Sequence, residues 1–135
     1  REGNRARFAA APGGSGHYVD VIGGTKSLRG TGGAGTIHHI AFRVADDAAE
    51  REMLERLMQG GYHVSDVRDR DYFRSIYYRE RGGILFEIAT DVPGFAVDES
   101  VESLGTALKL PKQFESARPQ IERALPPLQG ARPFA

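Results

Sequence analysis

The 135-residue sequence contains no cysteine, which excludes disulfides, thiolate metal sites and a cysteine nucleophile and leaves His and carboxylates as the candidate ligands. That composition suits a reducing compartment, and a soluble cytoplasmic protein is expected. Net charge is lacking too: 18 basic residues balance 18 acidic ones, so nothing favours a nucleic-acid backbone or an anionic membrane surface as partner. No apolar run approaches the roughly 20 residues that span a bilayer, and the N-terminus lacks the basic-then-apolar pattern of a signal peptide. No internal repeat is visible, and no low-complexity segment is long enough to imply disorder beyond the two ends. A chain of this length makes about one ordinary domain.

What is present falls into three zones. Residues 1–35 are rich in glycine, with Pro12-Gly13-Gly14 and Gly32-Gly33 as turn chemistry around one apolar run, Tyr18-Val19-Asp20-Val21-Ile22. This predicts a lone strand, which must pair with something later in the chain or with a part outside it. The chain opens on Arg1-Glu2-Gly3 rather than on Met and ends in a Pro-rich tail, so a fragment of a longer protein or a processed form is expected.

Residues 36–90 carry the dense pattern. Thr36 to Val44 alternates, with Ile40, Phe42 and Val44 on one face and His39, Ala41 and Arg43 on the other, as a half-buried strand does. Asp46 or Asp47 can cap a helix whose apolar residues Met53, Leu54, Leu57 and Met58 recur at helical spacing until Gly60-Gly61 stops it. Tyr62 to Val67 reads as a second strand, Phe73 to Arg79 as a third and Ile84 to Ala89 as a fourth, the last two joined as a hairpin through Gly82-Gly83. The expected order is strand, helix, strand, strand, strand. Residues 91–135 hold Pro93-Gly94, a segment around Leu104 to Leu110 and a short helix near Gln120 to Leu125 before Pro126-Pro127. They are expected to form a C-terminal arm draped on the module.

The chemistry centres on His39, in the first strand of the module, and Glu87, in the last. If both face the same side of a curved sheet, an imidazole and a carboxylate converge, and with one more His they make the facial arrangement of non-haem iron(II) oxygenases. On spacing alone, His39 reads more often as a satisfied polar residue of a strand, and Glu87 can point outward from Ile84-Leu85-Phe86-Glu87-Ile88. Burial decides between them, because a carboxylate among apolar neighbours carries a large penalty unless a cation or hydrogen bonds compensate it. The remaining histidines, His17 and His63, read as surface or structural.

The run Gly35-Thr36-Ile37-His38-His39-Ile40-Ala41-Phe42, followed about fifty residues later by Gly82-Gly83-Ile84-Leu85-Phe86-Glu87-Ile88-Ala89-Thr90-Asp91, resembles the C-terminal module of two-module ring-cleaving dioxygenases of the hydroquinone type. These belong to the glyoxalase and extradiol dioxygenase, or vicinal-oxygen-chelate, superfamily. The resemblance extends to Leu104-Gly105-Thr106-Ala107-Leu108-Lys109-Leu110-Pro111. It implies an α+β fold: a βαβββ glyoxalase-like module with a curved mixed sheet at residues 36–90, preceded by a connector and closing strand of a missing N-terminal module at 1–35 and followed by the arm at 91–135. It also implies an iron(II)-dependent extradiol-type dioxygenase acting on hydroquinone- or catechol-type aromatics with dioxygen, with manganese, nickel or zinc as the other metals to weigh.

Carried over position by position, His39 and Glu87 match the metal ligands and His38 an adjoining position. Arg70 matches a cation near the substrate oxygen, and Tyr77 a hydrogen-bonding phenol. Arg70 also reads as one exposed arginine in a charged stretch, and Tyr77 as a strand aromatic on the core. The family takes its third ligand, a His, from an N-terminal module that this sequence lacks, so the expected partner is that module or a homodimer mate. Arg81 stands where relatives often carry Pro. Two other classes remain open: a glyoxalase-like lyase or isomerase using nickel, zinc or cobalt without oxygen, and a non-catalytic small-molecule-binding module.

Overall fold

The computed structural model describes residues 2–10, 14, 16–24 and 31–126. Pro12, Gly13 and Pro127, invoked above as turn and tail residues, lie outside the described residues. The chain divides into two compact units, Arg1–Thr36 and Ile37–Ala135.

The first unit corrects the expectation of a lone strand. The strand β2 (Tyr18–Ile22) has a partner within the same segment, β1 (Arg5–Ala9), in an antiparallel pair that sets Arg7 opposite Asp20 and Phe8 opposite Val19. The Arg7 Nε and Nη2 atoms donate to the two oxygens of Asp20 at 2.8 and 2.9 Å. This fork-to-fork bond holds the Asp20 carboxyl below its usual range. β1 alternates Arg5, Arg7 and Ala9 with Ala6 and Phe8, so a cross-strand ion pair does the joining that an apolar face would otherwise do.

The second unit is α+β with a mixed four-stranded sheet. Its elements are β3 (Ile40–Val44), α1 (Asp47–Gln59), β4 (Arg68–Asp69), β5 (Phe73–Arg79) and β6 (Leu85–Pro93). The sheet order is β3-β6-β5-β4, with β3 parallel to β6 and the other pairs antiparallel. The helix starts where Asp46, in extended conformation, accepts hydrogen bonds from the backbone N–H groups of Ala48 and Ala49. It ends at Gly60, after which Gly61 takes a left-handed φ of 80° that suits a residue without Cβ.

Three expected strand boundaries move. β3 begins at Ile40 rather than at Thr36, so His39 sits just ahead of the strand. The expected strand Tyr62–Val67 contributes only an isolated bridge, Val64 to Tyr78, and the two-residue β4 follows it. The cause is Ser65, whose hydroxyl accepts from the Tyr77 N–H at 3.0 Å and so takes the place of a backbone carbonyl in that rung. β6 runs on to Pro93 instead of stopping at Ala89.

Strand alternation sorts the sheet into two faces. Ile76 and Ile88 are cross-strand neighbours and the buried apolar side chains among the described residues, and Phe42 pairs with Ile88 from β3. Arg74 shares the face of Ile76 and forms an ion pair with Asp47, so α1 lies on that face. The inward stripe of α1 is the buried Glu50 with half-buried Met53, Leu54 and Leu57, whereas Met58 is exposed. A carboxylic acid thus occupies the first position of the inward stripe. It is 2% exposed, and its Oε1 has no hydrogen-bond partner.

Burial pushes the Glu50 carboxyl above its ordinary 4.5, helped by the Asp47 charge and opposed by Arg74. A raised carboxyl pKa means that the neutral form is the one the fold tolerates, so the contribution of Glu50 to stability is fullest below pH 4.5 and is lost as pH rises through the folded-state value. Glu50→Gln is expected to unfold at the same temperature as the parent in acid. It should become more stable than the parent by about 1–3 kcal/mol above the folded-state pKa. Thermal melts across that pH range read the difference, and a constant gap would show that ionisation of Glu50 is not its origin.

The segment after β6 is tied down at defined points. Tyr72 and Phe95 stack at 5.1 Å between centroids, the Tyr72 hydroxyl donates to Asp98, and Lys109 Nζ donates to the Asp98 carbonyl. The final helix, α2 (Arg118–Ala124), starts two residues earlier than expected, and residues 104–110 form no regular element.

Candidate metal centre

The face opposite α1 carries Ser75, Tyr77 and Glu87. Tyr77 on β5 and Glu87 on β6 are cross-strand partners, as are Glu87 and Ala41 on β3. The hairpin that sets this register closes through the Glu80 side chain, which accepts from the N–H groups of Gly82 and Ile84, while Gly83 adopts a φ of 92°. Arg81 in this turn leaves the hairpin closed and in register.

Glu87 is 3% exposed and has a partner for each carboxylate oxygen. The Tyr77 hydroxyl donates to Oε1 at 2.8 Å, and His39 Nε2 lies 2.8 Å from Oε2. The His39 side chain is 37% exposed, so the pair has one buried and one accessible member. His38 Nδ1 lies 2.9 Å from His39 Nδ1, so one of these nitrogens donates and the other accepts. Arg70 Nη2 donates to the Tyr77 hydroxyl at 3.3 Å, and its guanidinium carbon stands 5.5 Å from the Tyr77 ring centroid. A tight turn places Arg70: its N–H donates to the Phe73 carbonyl, and the Asp69 carboxylate accepts from the Asp71 N–H beside it.

The structure thus brings His38, His39, Arg70, Tyr77 and Glu87 into one cluster, with His17 and His63 exposed on the surface. Sequence reasoning passed over Ser75, whose Oγ lies 3.0 Å from the Tyr77 hydroxyl. Its position two residues before Tyr77 on one strand was the available signal.

A metal fits the donor set. His39 Nε2 and Glu87 Oε2 face each other as a nitrogen and a hard oxygen, the combination that suits divalent iron, manganese, nickel or zinc. Among the described residues no group of three or more His, Cys, Asp and Glu side chains is arranged to hold a metal ion, so the chain offers two donors and not a complete site. Among the described residues, no helix is long and apolar enough to cross a membrane.

The class these features define is an α+β protein whose mixed sheet presents an imidazole–carboxylate pair braced by a phenol. No family model matches the chain. It is 48% identical over 129 residues to "Putative ring-cleaving dioxygenase MhqO" of Bacillus subtilis (strain 168), a match that takes in 96% of this chain and 41% of that protein. It is 38% identical over 128 residues to the chlorohydroquinone/hydroquinone 1,2-dioxygenase of Sphingobium indicum, 93% of this chain and 40% of that one. The crystal structure of a "putative dioxygenase from Bacillus subtilis subsp. subtilis str. 168" superposes with a TM-score of 0.86 at 47% identity, over 94% of this chain and 40% of that one. The chain is a homologue of proteins named as ring-cleaving dioxygenases and spans about two fifths of their length.

Proposed function

We propose that this chain is the C-terminal module of a two-module, iron(II)-dependent, extradiol-type ring-cleaving dioxygenase of the cytoplasm. It acts on hydroquinone- or catechol-type aromatics and is built on the βαβββ vicinal-oxygen-chelate plan, with residues 1–35 as the connector from the preceding module. The observation that carries the reading is the convergence of His39 Nε2 and buried Glu87 Oε2 at 2.8 Å, on a sequence similar to proteins named as ring-cleaving and hydroquinone dioxygenases. His39 and Glu87 would hold the metal, and a histidine of the N-terminal module or of a homodimer mate would complete the set. Iron(II), when bound, supplies redox chemistry and open positions for the substrate oxygen and dioxygen.

The chain's own residues do the rest. With a metal at Nε2 the His39 proton would sit on Nδ1, where His38 Nδ1, 2.9 Å away, would accept it and hold the ring. Arg70, exposed at the rim and beside the Tyr77 hydroxyl, is placed to stabilise negative charge on a phenolate oxygen of the substrate. Tyr77 holds Oε1 of Glu87, which leaves Oε2 as the ligating atom.

The full-length protein, incubated anaerobically with iron(II), is expected to hold near-stoichiometric iron by elemental analysis and to consume dioxygen with hydroquinone. Glu87→Gln should hold little. Metal uptake without oxygen consumption would move the reading to a glyoxalase-like lyase, and equal iron in Glu87→Gln would remove Glu87 from the site.

A further inference from the structure

We propose that Ser75 is a positioning residue for the metal-binding carboxylate, acting through Tyr77. The inference rests on the reading of Glu87 as a ligand. Three observations carry it.

The first is burial. Ser75 is 0% exposed, the most buried hydroxyl-bearing residue among the described residues. A hydroxyl removed from water must spend its hydrogen bonds inside the protein, and its Oγ has the Tyr77 hydroxyl at 3.0 Å.

The second is proton counting. A phenol carries one proton and accepts up to two hydrogen bonds. Glu87, as a carboxylate, can only accept, so the 2.8 Å contact to Oε1 takes the Tyr77 proton. The Tyr77 oxygen is then the acceptor for Ser75 at 3.0 Å and for Arg70 Nη2 at 3.3 Å. Ser75 is the buried and shorter of the two donors. Arg70 is exposed and farther away, and is free to turn toward a substrate. Ser75 therefore keeps the phenol directed at Glu87 when Arg70 leaves.

The third is register. Ser75 and Tyr77 are two residues apart on β5, on one face, and Ser75 is the cross-strand partner of Ala89 where Tyr77 is that of Glu87. Donor, relay and carboxylate are thus fixed by one hairpin ladder. The phenol proton in this arrangement is committed to the protein, so Tyr77 orients Glu87 instead of delivering a proton to substrate.

The test is a double-mutant cycle on the full-length protein, read as iron(II) affinity under anaerobic titration. Ser75→Ala is expected to weaken iron binding by about 10-fold or more, the usual cost of losing a residue that orients a ligand. In the Tyr77→Phe background the same substitution is expected to change affinity little, since its route to Glu87 is gone. Ser75→Thr, which keeps the hydroxyl, should restore affinity toward that of the parent.

The tyrosine Raman doublet, taken as parent minus Tyr77→Phe, gives a readout that needs no metal. It should change in Ser75→Ala, because the phenol loses an incoming hydrogen bond. Equal loss of affinity in both Tyr77 backgrounds would reduce Ser75 to a packing residue, and an unchanged Raman doublet would overturn the relay. A parent protein that takes up no iron would instead overturn the metal reading itself and carry this one down with it.

Discussion

Replacing His39 with alanine in the full-length protein is expected to lower dioxygen uptake with hydroquinone by more than about 100-fold, because losing even a residue that merely orients a ligand costs roughly 10–100-fold. The substitution removes one of the two donors the chain offers and leaves Glu87 Oε2 without its partner. Iron content should fall with activity. The fold should persist, since His39 lies ahead of β3 and its side chain is partly exposed, but the melting temperature should drop because the buried Glu87 oxygen loses its partner. Circular dichroism at low temperature therefore serves as the control, and an alanine variant that keeps both iron and oxygen uptake would dismiss His39 from the site.

Ile76→Ala is the largest expected stability effect. The Ile76 side chain is fully buried and packs across the ladder from Ile88, the only other buried apolar side chain among the described residues. Truncating a buried isoleucine costs about 2–5 kcal/mol, the spread reflecting how far the cavity collapses. That is a large share of the roughly 5–15 kcal/mol that holds a domain folded, and it should lower the melting temperature by about 10 °C or more. Val101→Ala, at an exposed position, is the matched control. Equal shifts in the two variants would mean that the sheet–helix interface is not the core.

The outcomes differ by element for physical reasons. The strand Phe73–Arg79, the helix ended by Gly60-Gly61 and the Gly82-Gly83 hairpin were legible because apolar periodicity and turn chemistry coincide there. β1 was not, because its alternation is of Arg with Ala and Phe, and its partner is chosen by the Arg7–Asp20 pair, which no local pattern announces. Residues 62–67 look like a strand in composition, yet the Ser65 side chain takes over a rung, a substitution that only the fold reveals. Glu50 was read past because helical spacing marks positions, and a carboxylic acid at an inward position resembles one at an outward position until burial is known. In the candidate site, His39 and Glu87 stood out as residue types. Ser75 did not, since its one signal is a place two residues before Tyr77 on the same strand, which shares a face but does not say what the hydroxyl touches.

The hairpin closed by Glu80 bears on how the site comes together as the chain folds. Tyr77 and Glu87 are ten residues apart, and Ser75 precedes them on the same hairpin, so this half of the cluster forms by closing one short loop. His39 reaches Glu87 only through the parallel pairing of β3 with β6, a crossover that encloses α1, β4 and β5. Loop-closure entropy favours the short loop, and non-local parallel pairing is the slower event. The braced carboxylate is therefore expected to form before the imidazole reaches it, so the two halves of the cluster should acquire protection at different times in refolding.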